Sequence, residues 1–148
     1  MDTIVASENI PVKIVDFILT NKIATICCIN QNAEPYCFNC FYLFQEENQL
    51  LFFKSSESSF HSQLLTANPN IAGTILPVKI ELLSLKGLQF SGTVLYDFPD
   101  QLNHEISFYK AHPFALTKTG KMWCIQIEPL KMTDNSAIFK KKSQWCKS

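Results

Sequence analysis

The stretch that decides the fold reads Leu50-Leu-Phe-Phe-Lys-Ser-Ser-Glu-Ser-Ser-Phe-His-Ser-Gln-Leu-Leu65. Its first four residues are apolar, and a run this short and aromatic predicts a buried strand. The next nine residues, 54–62, contain five serines, one lysine and one histidine, all of which can hydrogen-bond an anion. From position 60 onward the apolar residues have helical spacing. The stretch therefore predicts a strand, a hydroxyl-rich turn and a helix.

A strand that passes through a polar turn into a helix offers a site for a phosphate group. Ser58 or Ser59 can cap the helix, whose first backbone N–H groups have no acceptor within the helix. The positive end of the helix dipole lies at the same point. The alternative is that these serines are ordinary turn and cap residues, which are common. This segment alone leaves both interpretations open.

The composition is that of one globular domain without a strong charge. The chain has 148 residues, of which 47% are hydrophobic and 18% charged, and its formal net charge is zero. The length allows one core, and the balanced charge favours neither nucleic acid nor an anionic membrane as a partner. No run approaches the roughly 18 apolar residues of a membrane span, and the first residues do not resemble a signal peptide. We expect a cytoplasmic protein. Its hydrophobic content is high for a monomer of this size, so we also expect a homodimer interface that includes the aromatic runs 38–44 and 50–53.

The basic residues and the cysteines limit the chemistry. All thirteen basic residues are lysine, so an anion site cannot use the bidentate fork of arginine. The six cysteines include the formal CxxC pair Cys37 and Cys40. In a strand, residues i and i+3 face opposite sides, so these two thiols cannot bind one ion together. We expect reduced structural cysteines and no metal site.

The periodicity of the chain predicts a mainly β domain with attached helices. Predicted strands are 23–29, 36–44, 50–54, 71–76, 82–96 and 122–127, with short pieces at 131–133 and 137–139. Predicted helices are 10–21, capped by Ser7 or Asn9, then 58–67 and about 99–112. The first three strands suggest a meander. In the third helix, Leu102, Ile106 and Tyr109 are expected to share one face, and His104 and His112 are expected to lie on the surface.

Four groups of residues resemble the FMN-binding split-barrel family, which includes pyridoxamine 5′-phosphate oxidase. They are Lys54-Ser55 with Ser59-Phe60-His61; Asn39-Cys-Phe-Tyr-Leu-Phe44; Lys86-Gly-Leu-Gln-Phe-Ser-Gly-Thr93; and Trp123 with Thr133-Asp134-Asn135, Lys140-Lys141 and Trp145. The similarity covers about residues 10–145 and is closest to the uncharacterised YhbP-like branch. It implies a six-or-more-stranded antiparallel split β-barrel with one domain over residues 1–148: a helix at 10–21, a barrel at 22–140 and a basic tail at 140–148.

The resemblance also implies a cofactor site shared by two subunits of a homodimer. The family's phosphate-binding residues fall on Lys54, Ser55, Ser59 and His61. Residues along the flavin ring are expected to be Asn39, Phe41 and Tyr42, with Gln89 at the ring or the ribityl chain. Trp123 would either contact the flavin or pack in the core. Lysines 140–142 are either a solvated charge run or a contact to the partner's cofactor.

The chain departs from the oxidase at its cations. Phe60 occupies the family's arginine position, and the arginines that hold the oxidase substrate have no counterpart, so pyridoxamine-phosphate oxidase activity is not expected. The expected function is FMN binding in support of a small-molecule oxidoreductase reaction, with catalytic residues not identified. Three alternatives stay open: a flavin or haem carrier, a protein that uses a deazaflavin, and a cofactor-free structural dimer.

Overall fold

The computed structural model describes residues 3–135 and 141–148, which form nine strands and three α-helices. The strands are β1 Thr3–Ser7, β2 Ile23–Ile29, β3 Pro35–Phe41, β4 Leu43–Gln45, β5 Leu50–Ser55, β6 Asn70–Ile75, β7 Lys86–Leu95, β8 Lys121–Asp134 and β9 Lys141–Lys147. The helices are α1 Val12–Thr20, α2 Phe60–Ala67 and α3 Gln101–Ala111, and a 3₁₀ turn follows at Pro113–Thr117. None of the helices in residues 3–135 and 141–148 has the length and apolar character of a membrane-spanning segment.

One curved sheet contains all nine strands, and β8 is its centre. The main ladder order is β1-β9-β8-β7-β6-β2-β3, while β5 pairs with both β4 and β8. Along one edge, β8 pairs with β7; along the other, residues 121–126 pair with β5 and residues 130–134 pair with β9. The ladders are antiparallel except for β1 with β9, which is parallel and departs from the all-antiparallel sheet expected. The register between β7 and β8 shifts between Phe90 and Gly92, which marks a β-bulge or irregularity in this ladder.

Helix α1 closes part of the barrel core with the apolar stripe expected from the sequence. Ile14, Phe17 and Ile18 are buried, and the side-chain amide of Asn21 donates to the Phe17 carbonyl at 2.8 Å where the helix ends. The predicted cap by Ser7 or Asn9 is wrong. Pro11 is the N-cap residue and offers no side-chain cap, while its ring fixes φ at −53°, a value that suits the entry into a helix.

Strand β5 is buried on both faces because it lies between two cores. Leu51 and Phe53 belong to the large core inside the barrel, whereas Leu50 and Phe52 belong to a smaller core that also contains Phe108 of α3. This explains four consecutive apolar residues with at most 5% exposure. The expectation that residues 50–53 contribute to a dimer interface is therefore wrong, since α3 covers their outer face within the chain.

Several predicted elements have different bounds. The strand expected at 36–44 breaks at Tyr42, so β3 pairs with β2 while β4 pairs with β5, and the meander stops after β3. The strand expected from residue 82 starts at Lys86, and Leu82 and Leu83 are exposed. Helix α3 exposes Leu102 and Ile106 and buries Phe108 instead, because its packing partner is the outer face of β5.

The C-terminal segment is strand rather than tail. Residues 141–147 form β9, which pairs with both β8 and β1. Trp145, within β9, is fully buried, and its indole N–H donates to the Ser7 hydroxyl at 3.1 Å. The short strand predicted at 137–139 and the lysine at position 140 lie outside the described residues.

Candidate functional site

A pocket of about 250 Å³ lies between the β3–β5 side of the barrel and the segment formed by α3 and the 3₁₀ turn. We call it the turn pocket, because the polar turn after β5 forms part of its wall. Its aromatic lining residues are Phe38, Phe41, Phe53, Phe108 and Phe114. Its polar lining residues are Asn39, Lys54, Ser55, Ser56, His61, Lys118 and Thr119. The pocket thus combines aromatic surface with hydroxyl, amide, imidazole and ammonium groups.

Ser55 and His61 form the polar centre of the turn pocket. Ser55 is the last residue of β5, and His61 is the second residue of α2. The Ser55 Oγ lies 2.5 Å from the His61 Nε2 and 3.4 Å from the Ser59 Oγ. The strand–turn–helix arrangement expected from the sequence therefore brings these three side chains together.

Ser59 is the N-cap of α2, which confirms one of the two alternatives predicted from the sequence. Its oxygen accepts from the Ser62 N–H at 3.3 Å and lies 2.8 Å from the Ser56 carbonyl oxygen. The buried Ser62 hydroxyl donates to the same carbonyl at 2.7 Å. These bonds stabilise the turn, so Ser59 has a structural role independent of any ligand.

The turn is also supported from the side of β8 by Gly120. This residue has a φ of 149°, and a Cβ built on it would lie 2.6 Å from the Ser55 carbonyl oxygen. Only glycine allows this conformation together with such close contact between two backbones. Gly120 is part of the site that sequence reasoning missed.

The imidazole of His61 is partly removed from water. It stacks on the Phe38 ring with 3.9 Å between centroids and 9° between planes. Burial lowers the pKa of His61 below its ordinary value. The ring is therefore predominantly neutral at pH 7 when no anion is nearby. A bound anion would favour the protonated form and raise that pKa.

Two hydrogen bonds hold the segment that covers the turn pocket. The Lys54 ammonium donates to the Ala115 carbonyl of the 3₁₀ turn at 3.0 Å. The Nε2 of His112 lies 2.8 Å from the Tyr42 carbonyl oxygen, at the break between β3 and β4. His112 is 3% exposed, so its predicted surface position is wrong. The aromatic side chains packed around it, including Phe41 and Phe108, account for the burial.

The structure brings together five of the nine residues predicted for a cofactor site. Asn39, Phe41, Lys54, Ser55 and His61 line the turn pocket. Ser59 contacts the pocket through Ser55 without lining it. The other three lie elsewhere.

The remaining predicted residues have other surroundings in this chain. Tyr42 is buried, and its hydroxyl donates to the Ile18 carbonyl at 2.6 Å. Gln89 is exposed and lines a different pocket, on the outer face of the sheet. Trp123 is 3% exposed and packs in the barrel core, where its ring stacks on Phe53. Its indole N–H has no hydrogen-bond acceptor among the described residues.

Several lining residues were not found from the sequence. Phe108 comes from α3, and Phe114, Lys118 and Thr119 come from the segment between α3 and β8. The long-range pairing of β5 with β8 brings the end of this segment beside the polar turn. The glycine within the polar run 117–121 is a turn signal that could have drawn attention to it.

The chain is similar along most of its length to curated UPF0306 proteins. The relative from Haemophilus ducreyi is 29% identical over 144 residues, covering 93% of this chain and 96% of the relative. The relative from Yersinia pseudotuberculosis serotype O:3 is 28% identical over 130 residues, covering 87% and 88%. No protein-family model matches the chain.

Solved structures share the fold at low sequence identity. A heme binding protein from Mycobacterium smegmatis has a TM-score of 0.71 at 11% identity, with 85% of this chain aligned to 54% of that one. An FAD-binding protein from Mesorhizobium loti has a TM-score of 0.65 at 15% identity, covering 84% and 94%. HutZ, the heme storage protein from Vibrio cholerae, has a TM-score of 0.63 at 15% identity, covering 80% and 90%. The mainly β split-barrel fold expected from the sequence is confirmed.

Proposed function

We propose that the protein binds FMN in the turn pocket and supports a small-molecule oxidoreductase reaction, as a member of the YhbP-like branch of the split-barrel family. One observation carries the proposal: a single pocket joins phosphate-binding groups, at Lys54, Ser55 and His61, to the aromatic side chains of Phe38 and Phe41. FMN needs this combination, because it has a dianionic phosphate and a flat, largely apolar ring.

The donors present fit a phosphate group. Lys54 uses one of its three N–H groups on Ala115, which leaves two. Ser55 and His61 share one hydrogen bond that can open to two acceptor oxygens. In the first turn of α2, Ser59 already accepts from the Ser62 N–H, while the N–H groups of Phe60 and His61 have no acceptor within the helix. Ser59 was also expected to bind the phosphate, but its hydroxyl bonds within the turn, so we assign it mainly to stabilising the turn.

The size of the turn pocket supports a homodimer. Its volume of about 250 Å³ is below the ~300–1,000 Å³ of complete small-molecule sites. Phe41 and Phe114, which line it, are 40% and 49% exposed. A second subunit would cover these rings and complete the wall. Light scattering at micromolar concentration should give a dimer mass; a monomer mass would contradict this part of the proposal.

A bound flavin would supply reversible electron and hydride transfer. The residues of this chain would hold its phosphate, position its ring and exclude water. The absence of arginine leaves no bidentate partner for a second phosphate on the substrate. We therefore propose a substrate other than pyridoxamine phosphate.

Titration with FMN tests the site. His61→Ala should weaken binding by about 1–3 kcal/mol, or roughly 5- to 150-fold in Kd, since it removes a charge-assisted partner of the phosphate. Ser58→Ala is the matched control, because Ser58 is an exposed serine of the same turn whose hydroxyl contacts only that of Ser56 among the described residues. Flavin fluorescence quenching gives the three dissociation constants. Equal values for wild type, His61→Ala and Ser58→Ala would remove the phosphate assignment.

Haem is the second candidate, because two solved structures with this fold are named as heme binding and heme storage proteins. The geometry favours flavin: of the three histidines, His61 alone lines the turn pocket, and its Nε2 already contacts Ser55. Parallel titrations with hemin and FMN separate the two. A Soret band without flavin binding would support a haem carrier, and binding of neither ligand would support a cofactor-free structural dimer.

A further inference from the structure

Two cysteines lie directly opposite each other in the β2–β3 ladder, where Cys27 pairs with Cys37. Opposed residues of an antiparallel pair have their side chains on the same face of the sheet. Their Cα atoms are about 4.5 or 5.5 Å apart, depending on the kind of pair. Both separations lie within the roughly 4.4–6.8 Å that a disulfide spans. The usual strand spacing at an opposed pair therefore fits a bond between the two sulfurs.

The two thiols differ in exposure. Cys37 is exposed and Cys27 is half-buried, and both line a pocket of about 440 Å³ on the outer face of the sheet. Burial raises the pKa of Cys27, and its hydrogen bond with Cys37 adds to this effect. An oxidant from solution therefore meets Cys37 first, with Cys27 held beside it.

The other cysteines have different surroundings. Cys28 is buried on the opposite face of β2, where its thiol contacts the Tyr36 carbonyl. Burial raises the pKa of Cys40 and of Cys124 to about 12. Thiols of this kind are poor nucleophiles at neutral pH.

We infer that Cys27 and Cys37 form a reversible oxidation site for hydroperoxides. The Cys37 thiolate attacks the O–O bond of hydrogen peroxide, which gives a sulfenic acid and, after proton uptake, one water. The Cys27 sulfur then attacks the Cys37 sulfur: the S–S bond forms, the S–O bond breaks, and the hydroxyl leaves as a second water with the Cys27 proton. Overall, two thiols and one peroxide give one disulfide and two waters. A small dithiol reverses the reaction by exchange.

The inference does not rest on the proposed flavin function, but the disulfide would affect a strand that lines the turn pocket. Strand β3 is at the end of the main ladder path. Its residues Phe38, Asn39 and Phe41 line the turn pocket. Oxidation would fix this strand covalently to β2.

Thiol counting on the full chain tests the inference. The wild type, fully reduced, has six cysteines; after mild treatment with hydrogen peroxide and unfolding, two thiols should be missing and a dithiol should restore them. Peptide mapping of the oxidised wild type should show Cys27 linked to Cys37, with a mass lower by two hydrogens than that of the reduced form. In Cys27→Ser, the Cys37 sulfenic acid should persist and react with dimedone. Cys146→Ser is the control: a half-buried cysteine of β9 that should leave the loss of two thiols unchanged.

Three results would overturn the assignment. They are a thiol count that stays at six, a disulfide that joins other cysteines, and Cys37 oxidised to sulfinic acid without a bridge. The mapping of the wild type needs no variant, so it decides the question even if a serine substitution disturbs folding.

Discussion

The two tryptophans offer a direct test of the packing, since each can be replaced by phenylalanine. Trp145 and Trp123 are 0% and 3% exposed, and both belong to the barrel core. They differ in their indole N–H groups. That of Trp145 donates to the Ser7 hydroxyl at 3.1 Å, whereas that of Trp123 has no acceptor among the described residues.

The expected magnitude follows from this difference. Phenylalanine loses similar apolar contact at either site, so the packing loss largely cancels between the variants. Trp145→Phe also removes a hydrogen bond, which contributes about 0.5–1.5 kcal/mol. Trp123→Phe instead removes a buried donor whose burial without an acceptor costs about 1–3 kcal/mol. The free energy of unfolding should therefore fall by about 1.5–4.5 kcal/mol more for Trp145→Phe than for Trp123→Phe.

Urea denaturation followed by far-ultraviolet circular dichroism measures both variants on one scale. Each variant keeps one tryptophan, so fluorescence gives a second transition curve for each. Equal losses, or a larger loss for Trp123→Phe, would show that the Trp123 N–H does have an acceptor, and the reasoning would be wrong.

Two further predictions concern the polar turn. Gly120→Ala should destabilise the protein by about 1–3 kcal/mol in the same urea assay, because its φ is 149° and the added Cβ would lie 2.6 Å from the Ser55 carbonyl oxygen. Gly87→Ala is the control and should change stability little, since the atom nearest to its added Cβ is 3.7 Å away. Equal losses of stability in the two variants would argue against the close contact at Gly120. Burial lowers the pKa of His61 from its ordinary 6.5, so the unfolded chain binds more protons and stability rises with pH. The contribution of His61 to the free energy of unfolding should be fully present above pH 6.5. It should be lost as the pH falls from 6.5 through the lower pKa that His61 has in the folded protein. His61→Gln should lack this part of the pH dependence, and identical pH profiles for the two proteins would contradict it.

The elements predicted well from the sequence are those whose signal is local. Strand β2 has the predicted bounds, 23–29, because a run of apolar and β-branched residues lies between two clear turns. The α1 stripe follows from helical spacing alone. Strand β1 was missed, because its residues form a strand only by pairing with β9, nearly the whole chain away. The break at Tyr42 depends on contacts with Ile18 and His112, which no local pattern contains.

The same distinction applies to the candidate site. Ser55 and His61 were predicted together because six positions separate them in one strand–turn–helix unit. Lys118 and Thr119 reach the same pocket from a segment that joins it only through the β5–β8 ladder. Trp123 follows the same ladder, but its side chain points into the barrel core, and the family pattern alone did not indicate which face it would take.

The pairing of β5 with β8 has a consequence for the nascent chain. The four apolar residues of β5 lose contact with water only when β8 and α3 are present. Roughly 80 residues separate the end of β5 from the end of β8. Because a ribosome adds about 5–20 residues per second, β8 is complete only about 4–16 s after β5. During that interval, residues 50–53 are an exposed hydrophobic segment that is prone to aggregation and is of the kind that chaperones bind. Synthesis rate and chaperone supply should therefore influence the yield of folded protein more strongly than they would for a barrel built from consecutive hairpins.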